Sequence, residues 1–261
     1  MPELPEVETI VRTLRPVLTG RRVLSAAFPG PRALRGAPPP DLAGMVVETV
    51  RRHGKFIVVG TNGGLLVIHL GMTGKLLFDA EPGPYARAVF ELDEGHRLVY
   101  DDIRQFGCVE WHRAGVPRFG RLGPDPLEIG EVEFIAGLRA RRAPVKAILL
   151  DQSFVRGIGN IYADEALFRA RVHPRTRGVR LAAHRARSLF TAAREVLETA
   201  IRHRGSSISD YVDAGGNRGG FQLLHNVYGR EAQPCRVCGT PIRRIVVAQR
   251  GTHYCPACQK R

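Results

Sequence analysis

The chain has 261 residues, 44% of them hydrophobic and 25% charged, with a formal net charge of +14. That length suits one large or two modest domains; no run approaches eighteen apolar residues, and the N-terminus lacks a signal-peptide pattern, so a cytoplasmic protein without a membrane partner is expected. Residues 1–136 hold 16 Lys+Arg against 17 Asp+Glu, so the whole positive excess lies beyond them, and such segregation points to a polyanion, nucleic acid foremost.

The chain opens MPELPEVET. A methionine before proline is a substrate for aminopeptidase removal, which leaves Pro2 with a free secondary amine. An α-amine titrates near pH ~7.7–8, against ~10.4 for lysine, and a neutral amine attacks carbonyl-like carbons. The dipeptide alone says little, since many chains begin this way. Leu4, Val7, Ile10, Val11 and Leu14 predict a helix over residues 4–15, which Pro16 kinks or ends. Pro5 suits its first turn, and Glu6 and Glu8 its positive end. Glu3 lies just before that helix, and the dipole does not account for it.

Eight short β-prone runs follow: RRVLSAAF, MVVETVRR, KFIVVG, GLLVIHL, KLLF, ARAVFEL, HRLVYDD and GCVEWHR. With turn signals such as TNGG and DEG between them, they predict an antiparallel sandwich or barrel. Residues 29–40 read as a proline-rich surface loop, and Cys108 as a buried packing residue. Met72 lies between glycines and Phe106 beside one, so from the residues alone both are turn residues packed on the core.

The Gly/Pro stretch 115–126 reads as a linker. Beyond it VEFIAGLRA, VKAILLDQ, IYADEALFRA and a segment from about Ala182 to His203 have helical spacing. Gly157, Gly159 and Asn160 precede the third of these. Next to Arg156 they fit a phosphate site at a helix N-terminus, and equally a plain helix-turn-helix connection. Residues 215–220, GGNRGG, read as a mobile loop. The last thirty residues form a separate unit. There Cys235, Cys238, Cys255 and Cys258 read C-x2-C-x16-C-x2-C, the spacing of one structural zinc ion with a closed ligand set. Disulfides are the alternative, and an intracellular chain disfavours them. IRRIVVA and THYC read as two strands, joined by a turn carrying Gln249, Arg250 and Gly251.

Taken together, MPELPEVET, HLGMTGKL at 69–76, DIRQFG at 102–107, LGPDPL at 122–127, DQSFVRGIGNIYADEALF at 151–168, VYGR at 227–230, and PCRVCGTPI with QRGTHYCPACQ near the end resemble the formamidopyrimidine-DNA glycosylase family, in family order over essentially the whole chain. The resemblance implies an α+β multidomain fold: an N-terminal helix plus antiparallel β-sandwich over 1–120, a helix–two-turn–helix domain over 127–222 and a zinc β-hairpin over 227–261, with DNA in the cleft between the halves. It implies a bacterial, nucleoid-associated monomer that removes 8-oxoguanine and formamidopyrimidines from double-stranded DNA and cuts the strand by β,δ-elimination.

By the same resemblance Pro2 is the nucleophile that forms an iminium at C1′, Glu3 the acid and proton carrier, and Glu6 the residue that holds the N-terminus and sugar. Lys55 contacts phosphate near the lesion, and Lys146 lines the recognition and DNA-contact region. Asn160 and Arg250 clamp phosphates around the flipped nucleotide. Met72, Arg104 and Phe106 fill the hole it leaves, with Arg104 hydrogen-bonding the orphaned cytosine. Gln105 stands where relatives often carry a basic residue. Asn217 and Arg218 lie in a loop, 213–221, that varies among relatives, so lesion preference is not fixed by them. Two other readings stay open: a sister glycosylase for oxidised pyrimidines, and a zinc-ribbon DNA-binding protein without catalysis.

Overall fold

The computed structural model describes residues 1–113 and 119–260. The chain divides into two compact units, Met1–Phe119 with His203–Gln222, and Gly120–Arg202 with Leu223–Arg261. Of the expected linker, residues 115–118 lie outside the described residues; the changeover between units falls just after them. The expected helical domain ended at 222, whereas residues 203–222 pack with the first unit. Their hydrogen bonds explain this: Phe78 donates its N–H to the Ala214 carbonyl at 2.9 Å, and Ser206 donates to Glu6 at 2.7 Å.

In the first unit α1 (Leu4–Leu18) buries Leu4, Val7, Ile10, Val11, Leu14 and Leu18 along one face. It runs two residues past Pro16. Proline removes one helical N–H, but the last turn still closes, because Thr19 N–H bonds the Arg15 carbonyl at 3.2 Å. The strands are β1 (Val23–Ala27), β2 (Leu34–Arg35), β3 (Val47–His53), β4 (Phe56–Thr61), β5 (Gly64–His69), β6 (Lys75–Phe78), β7 (Ala86–Leu92), β8 (Arg97–Asp101) and β9 (Cys108–Arg113). They form a four-stranded sheet in the order β1-β7-β8-β6 and a five-stranded sheet in the order β2-β9-β5-β4-β3. β7 alternates strictly between buried and half-buried residues, as a strand with one core face must. Ile57, Val59, Leu66, Ile68 and Val109 of one sheet share a core with Leu76, Ala88, Phe90, Leu98 and Tyr100 of the other, and with α1. Each of the Val, Leu, Ile and Phe side chains contributes roughly 1.5–3 kcal/mol on burial.

β2 was not expected. It lies inside the proline-rich segment 29–40 and pairs parallel to β9 through Leu34 and Arg35. Ala33 just before it is buried, so this loop is anchored at its middle. Two paired residues are too short to leave a period in the sequence.

The second unit holds α2 (Glu131–Arg139), α3 (Val145–Leu150), α4 (Asn160–Arg169), α5 (Ala183–Arg202), and a hairpin of β10 (Arg243–Val247) and β11 (Arg250–Tyr254). The hairpin turns at Ala248 and Gln249 rather than at Gln249–Gly251; Arg250 already pairs with Val247. Both turn residues have positive φ, 50° and 59°, as a two-residue turn matching strand twist requires. Among the described residues no helix is long and apolar enough to cross a membrane.

Candidate active site and metal centre

Pro2, Glu3 and Glu6 are all buried at the start of α1. Glu6 Oε2 accepts the Glu3 N–H at 2.8 Å, half of a capping box. Its other oxygen, Oε1, accepts the Ser206 N–H at 2.7 Å. Tyr211 Oη donates to the Glu6 carbonyl at 3.3 Å and to the Arg204 carbonyl at 3.1 Å. Burial, with the Glu6 charge beside it, raises the Tyr211 pKa, so the phenol stays a donor. Gly205 is required here: at φ +75° a Cβ would stand 2.7 Å from Glu6 Oε1. Thus one carboxylate ties the backbone next to Pro2 to the segment that leads into loop 213–221.

Residues 215–220 of that loop were expected to be mobile from their composition; the backbone on either side and within is hydrogen-bonded. Asp213 Oδ1 accepts the N–H groups of Gly215 at 3.0 Å and Asn217 at 2.9 Å, and Arg204 pairs with the same carboxylate. Ser207 Oγ accepts the Gly219 N–H at 2.8 Å, and the Ser207 carbonyl accepts Arg218 at 2.9 Å.

Lys55, half-buried, precedes β4, and Phe56 of that strand pairs with His69 at the end of β5. Burial pushes the His69 imidazole down to about 4, and the Lys55 charge adds to the effect. Neutral His69 can therefore accept the Gly71 N–H at Nδ1, at 3.2 Å. Met72, Arg104 and Phe106 stand on two neighbouring loops and are exposed, Met72 at 43% and Phe106 at 51%. Their glycine neighbours had suggested core packing, which the structure does not bear out. The Arg104 guanidinium lies 4.5 Å from the Phe106 ring centroid.

In the second unit Asn160 opens α4, and its Nδ2 donates to the Gly251 carbonyl at 3.0 Å. Its Oδ1 is buried without a hydrogen-bond partner. Arg250 is exposed at the hairpin tip. Lys146 is placed differently from the expectation of a DNA-contact residue. It is fully buried, and its ammonium pairs with Asp164 at 2.7 Å and donates to Thr252 Oγ1 at 2.8 Å and to the Gly251 carbonyl at 3.1 Å. Asp164 also accepts the His253 N–H at 2.8 Å. Lys146 thereby holds the hairpin tip against α4, alongside Asn160. Next to Asp164, buried Glu165 accepts the N–H groups of Asn226, Val227 and Tyr228 at 2.9–3.0 Å, which fixes the chain's entry into the hairpin module at VYGR.

The sequence reading missed Asp102, Asp164, Glu165, Ser206 and Asp213. The one visible trace of the four acids was an acid inside a recognisable motif; Ser206, which acts through its backbone N–H, left none. In IYADEALF the helical spacing assigned no role to either acid, and each is 1% exposed.

The four cysteine sulfurs lie within 4.8 Å of one another and none is in a disulfide. Separations of 3.4 Å for Cys238–Cys255, 3.5 Å for Cys238–Cys258 and 4.0 Å for Cys235–Cys258 bracket the ~3.8 Å edge of a tetrahedron with ~2.3 Å metal–sulfur bonds. Val237 N–H and Cys258 N–H point at the sulfurs of Cys235 and Cys255, as outer-shell donors to thiolates do. Four thiols fill every tetrahedral position, so the site suits a structural metal. Around it Phe168, Val227, Ile242, Cys235 and Cys255 form a small core of their own.

Comparison with known proteins covers the whole chain. Residues 1–109 match the formamidopyrimidine-DNA glycosylase N-terminal domain, residues 122–212 the H2TH domain of the same glycosylase, and residues 232–261 the zinc finger found in FPG and IleRS. A formamidopyrimidine-DNA glycosylase from Solibacter usitatus is 53% identical over 266 residues, covering 100% of both chains. The crystal structure of the MutM (Fpg) protein from Thermus thermophilus superposes with a TM-score of 0.90 at 45% identity, covering 99% of this chain and 98% of that one. A point mutant of Lactococcus lactis Fpg, in complex with a Fapy-dG containing DNA, superposes with a TM-score of 0.93 at 33% identity over 100% of both chains.

Proposed function

Because this chain belongs to the formamidopyrimidine-DNA glycosylase family, we propose that it is a base-excision-repair enzyme that removes oxidised purines from double-stranded DNA and then cuts the strand. The observation that carries the chemistry is the enclosure of Pro2 and Glu3 at the start of α1, with Glu6 hydrogen-bonded to the backbone between them and to Ser206. Once Met1 is removed, the lone pair of the Pro2 nitrogen attacks C1′ of the damaged nucleotide. The C1′–N bond breaks, and its electron pair leaves with the base, which takes up a proton. The Pro2 nitrogen loses its proton once bonded to C1′, Glu3 carries the proton that opens the sugar at O4′, and a cationic iminium joins Pro2 to C1′. That iminium accepts the electron pair of the C2′–H bond as its proton is lost, and the enamine so formed expels the 3′-phosphate by β-elimination. Loss of a second proton, from C4′, supplies the pair that expels the 5′-phosphate by δ-elimination, and water then hydrolyses the iminium to free Pro2.

The reading assigns catalysis to a domain over 1–120, and duplex binding to domains over 127–222 and 227–261. One structural zinc on Cys235, Cys238, Cys255 and Cys258 supplies the folding energy of the last. Lys55, Asn160 and Arg250 hold phosphates. Lys146 acts through the hairpin that it anchors, not by touching DNA. Met72, Arg104 and Phe106 fill the space of the extruded nucleotide. A Fapy-dG complex among structural relatives supports a purine lesion as substrate.

The deciding experiment is borohydride trapping on a duplex with one 8-oxoguanine opposite cytosine, with an oxidised-pyrimidine duplex beside it. A covalent complex on the purine lesion, greatly reduced in Pro2→Gly, is expected. Stronger trapping on the pyrimidine lesion would move the chain to the sister activity. Binding without trapping on either would leave the non-catalytic reading.

A further inference from the structure

Asp102 is fully buried, and among the described residues it has no ion pair. Its carboxylate instead accepts four hydrogen bonds. Oδ1 takes Thr73 Oγ1 at 2.6 Å and the Arg104 N–H at 3.3 Å; Oδ2 takes the Gly107 N–H at 2.9 Å and Tyr100 Oη at 3.2 Å. Arg104 N–H also reaches Thr73 Oγ1 at 3.2 Å. Two of these donors lie on loop 102–107 itself, one on loop 70–74 and one on β8. The loops also meet backbone to backbone: at Gly71, whose φ is +58°, a Cβ would collide with Phe106 and Gly107. Loop 102–107 is thus pinned at 102, 104 and 107, while its free crest, with Gln105 at φ 53°, thrusts Phe106 outward. Thr73 carries the same anchorage to Met72, its neighbour. A buried unpaired carboxylate is a costly way to stabilise a core, which apolar residues serve better. What it offers here is acceptor capacity at one point for donors from three segments.

We propose that Asp102 is a positioning residue that locks the two loops into one rigid wedge, so that Met72, Arg104 and Phe106 enter the duplex together. This rests on the glycosylase reading above and adds a residue to it. The wedge acts when a paired base must leave the stack, and Arg104 then reads the base left behind. At a preformed abasic site there is no base to extrude and that demand falls away.

Asp102→Asn tests the lock directly. An amide offers one acceptor oxygen and one donor NH2, so whichever way it turns, one backbone N–H, that of Arg104 or of Gly107, meets another donor, while the hydroxyl beside it can turn to accept. Thr73→Val keeps shape and removes both hydrogen bonds that Oγ1 makes to loop 102–107, to Asp102 and from the Arg104 N–H; Thr73→Ser keeps the hydroxyl. Single-turnover excision of 8-oxoguanine opposite cytosine and opposite adenine is measured beside cleavage of an abasic site. A wedge loosened by about 1 Å costs about 100-fold in a positioned reaction. We expect losses of that order for Asp102→Asn and about 10-fold for Thr73→Val on 8-oxoguanine, with cleavage of the abasic site within about threefold of wild type, reduced preference for cytosine over adenine, and recovery in Thr73→Ser. Equal losses on both substrates, or unchanged opposite-base preference in Thr73→Val, would overturn the proposal. If wild type itself forms no covalent complex, the glycosylase reading fails instead.

Discussion

Glu6 and Ser206 are 200 positions apart in the chain and share a 2.7 Å hydrogen bond, from the Ser206 N–H to Glu6 Oε1. Because Oε2 of the same carboxylate holds the Glu3 N–H, Glu6→Gln can satisfy only one of the two donors and leaves the other buried and unpaired. The expected cost is about 1–3 kcal/mol of stability. Iminium trapping should slow by more than a stability loss explains, since the backbone beside Pro2 is released. Urea midpoints and trapping rates on one preparation check both; an unchanged trapping rate would separate Glu6 from the chemistry.

Asp164 neutralises Lys146 where neither touches water. Asp164→Asn strands a buried ammonium, with an expected cost of about 3–5 kcal/mol. The double variant Lys146→Met with Asp164→Leu removes both charges and should recover most of that stability. It should still bind DNA weakly, because Gly251 and Thr252 lose the donor that fixes the hairpin tip. Denaturation midpoints and DNA titrations distinguish the two effects; full affinity in the double variant would refute the anchoring role.

Metal removal should act on one module. The core around the cysteines contains Phe168, Val227, Ile242, Cys235 and Cys255, and shares no residue with the sandwich core. Cys238→Ser should drop bound zinc from about one equivalent to near zero and weaken DNA binding by at least about 10-fold. The melting of the first unit should stay in place. Metal analysis with calorimetry reads both, and collapse of the sandwich would contradict the separation.

His69 makes stability pH-dependent. Its folded value is pushed down to about 4, from 6.5 in the unfolded chain. Between those values the unfolded chain binds the extra proton, so this contribution is complete above pH 6.5 and is lost as pH falls through 4. The whole effect is at most about 3 kcal/mol. His69→Asn keeps an oxygen for the Gly71 N–H and cannot take up the proton. Its melting temperature should fall less than that of wild type between pH 7 and pH 5. Parallel pH dependences would show that another group controls the acid limb.

Much of this architecture was legible because its cause is periodic. The eight strand runs and the four helices after residue 130 follow from apolar spacing, and the cysteine spacing alone marked the metal site. What stayed hidden was long-range polar pairing. Nothing local tells that Glu6 meets Ser206, that Lys146 turns inward to Asp164, or that Asp102 gathers donors from two loops and a strand. β2 escaped because its partner, β9, lies more than seventy residues away and supplies the reason for the pairing. The hairpin turn shifted by one residue because glycine at 251 was the better turn former, yet the register with β10 placed Gly251 opposite Val246.

The turn at Ala248 and Gln249 also offers an engineering handle. Both residues occupy the left-handed region without being glycine, at a strain of about 1–2 kcal/mol each. An Asn-Gly pair adopts that geometry at little cost. Ala248→Asn with Gln249→Gly would therefore relax the tip, raising the thermal tolerance of the smallest module of the chain while its thiols and Arg250 remain as they are.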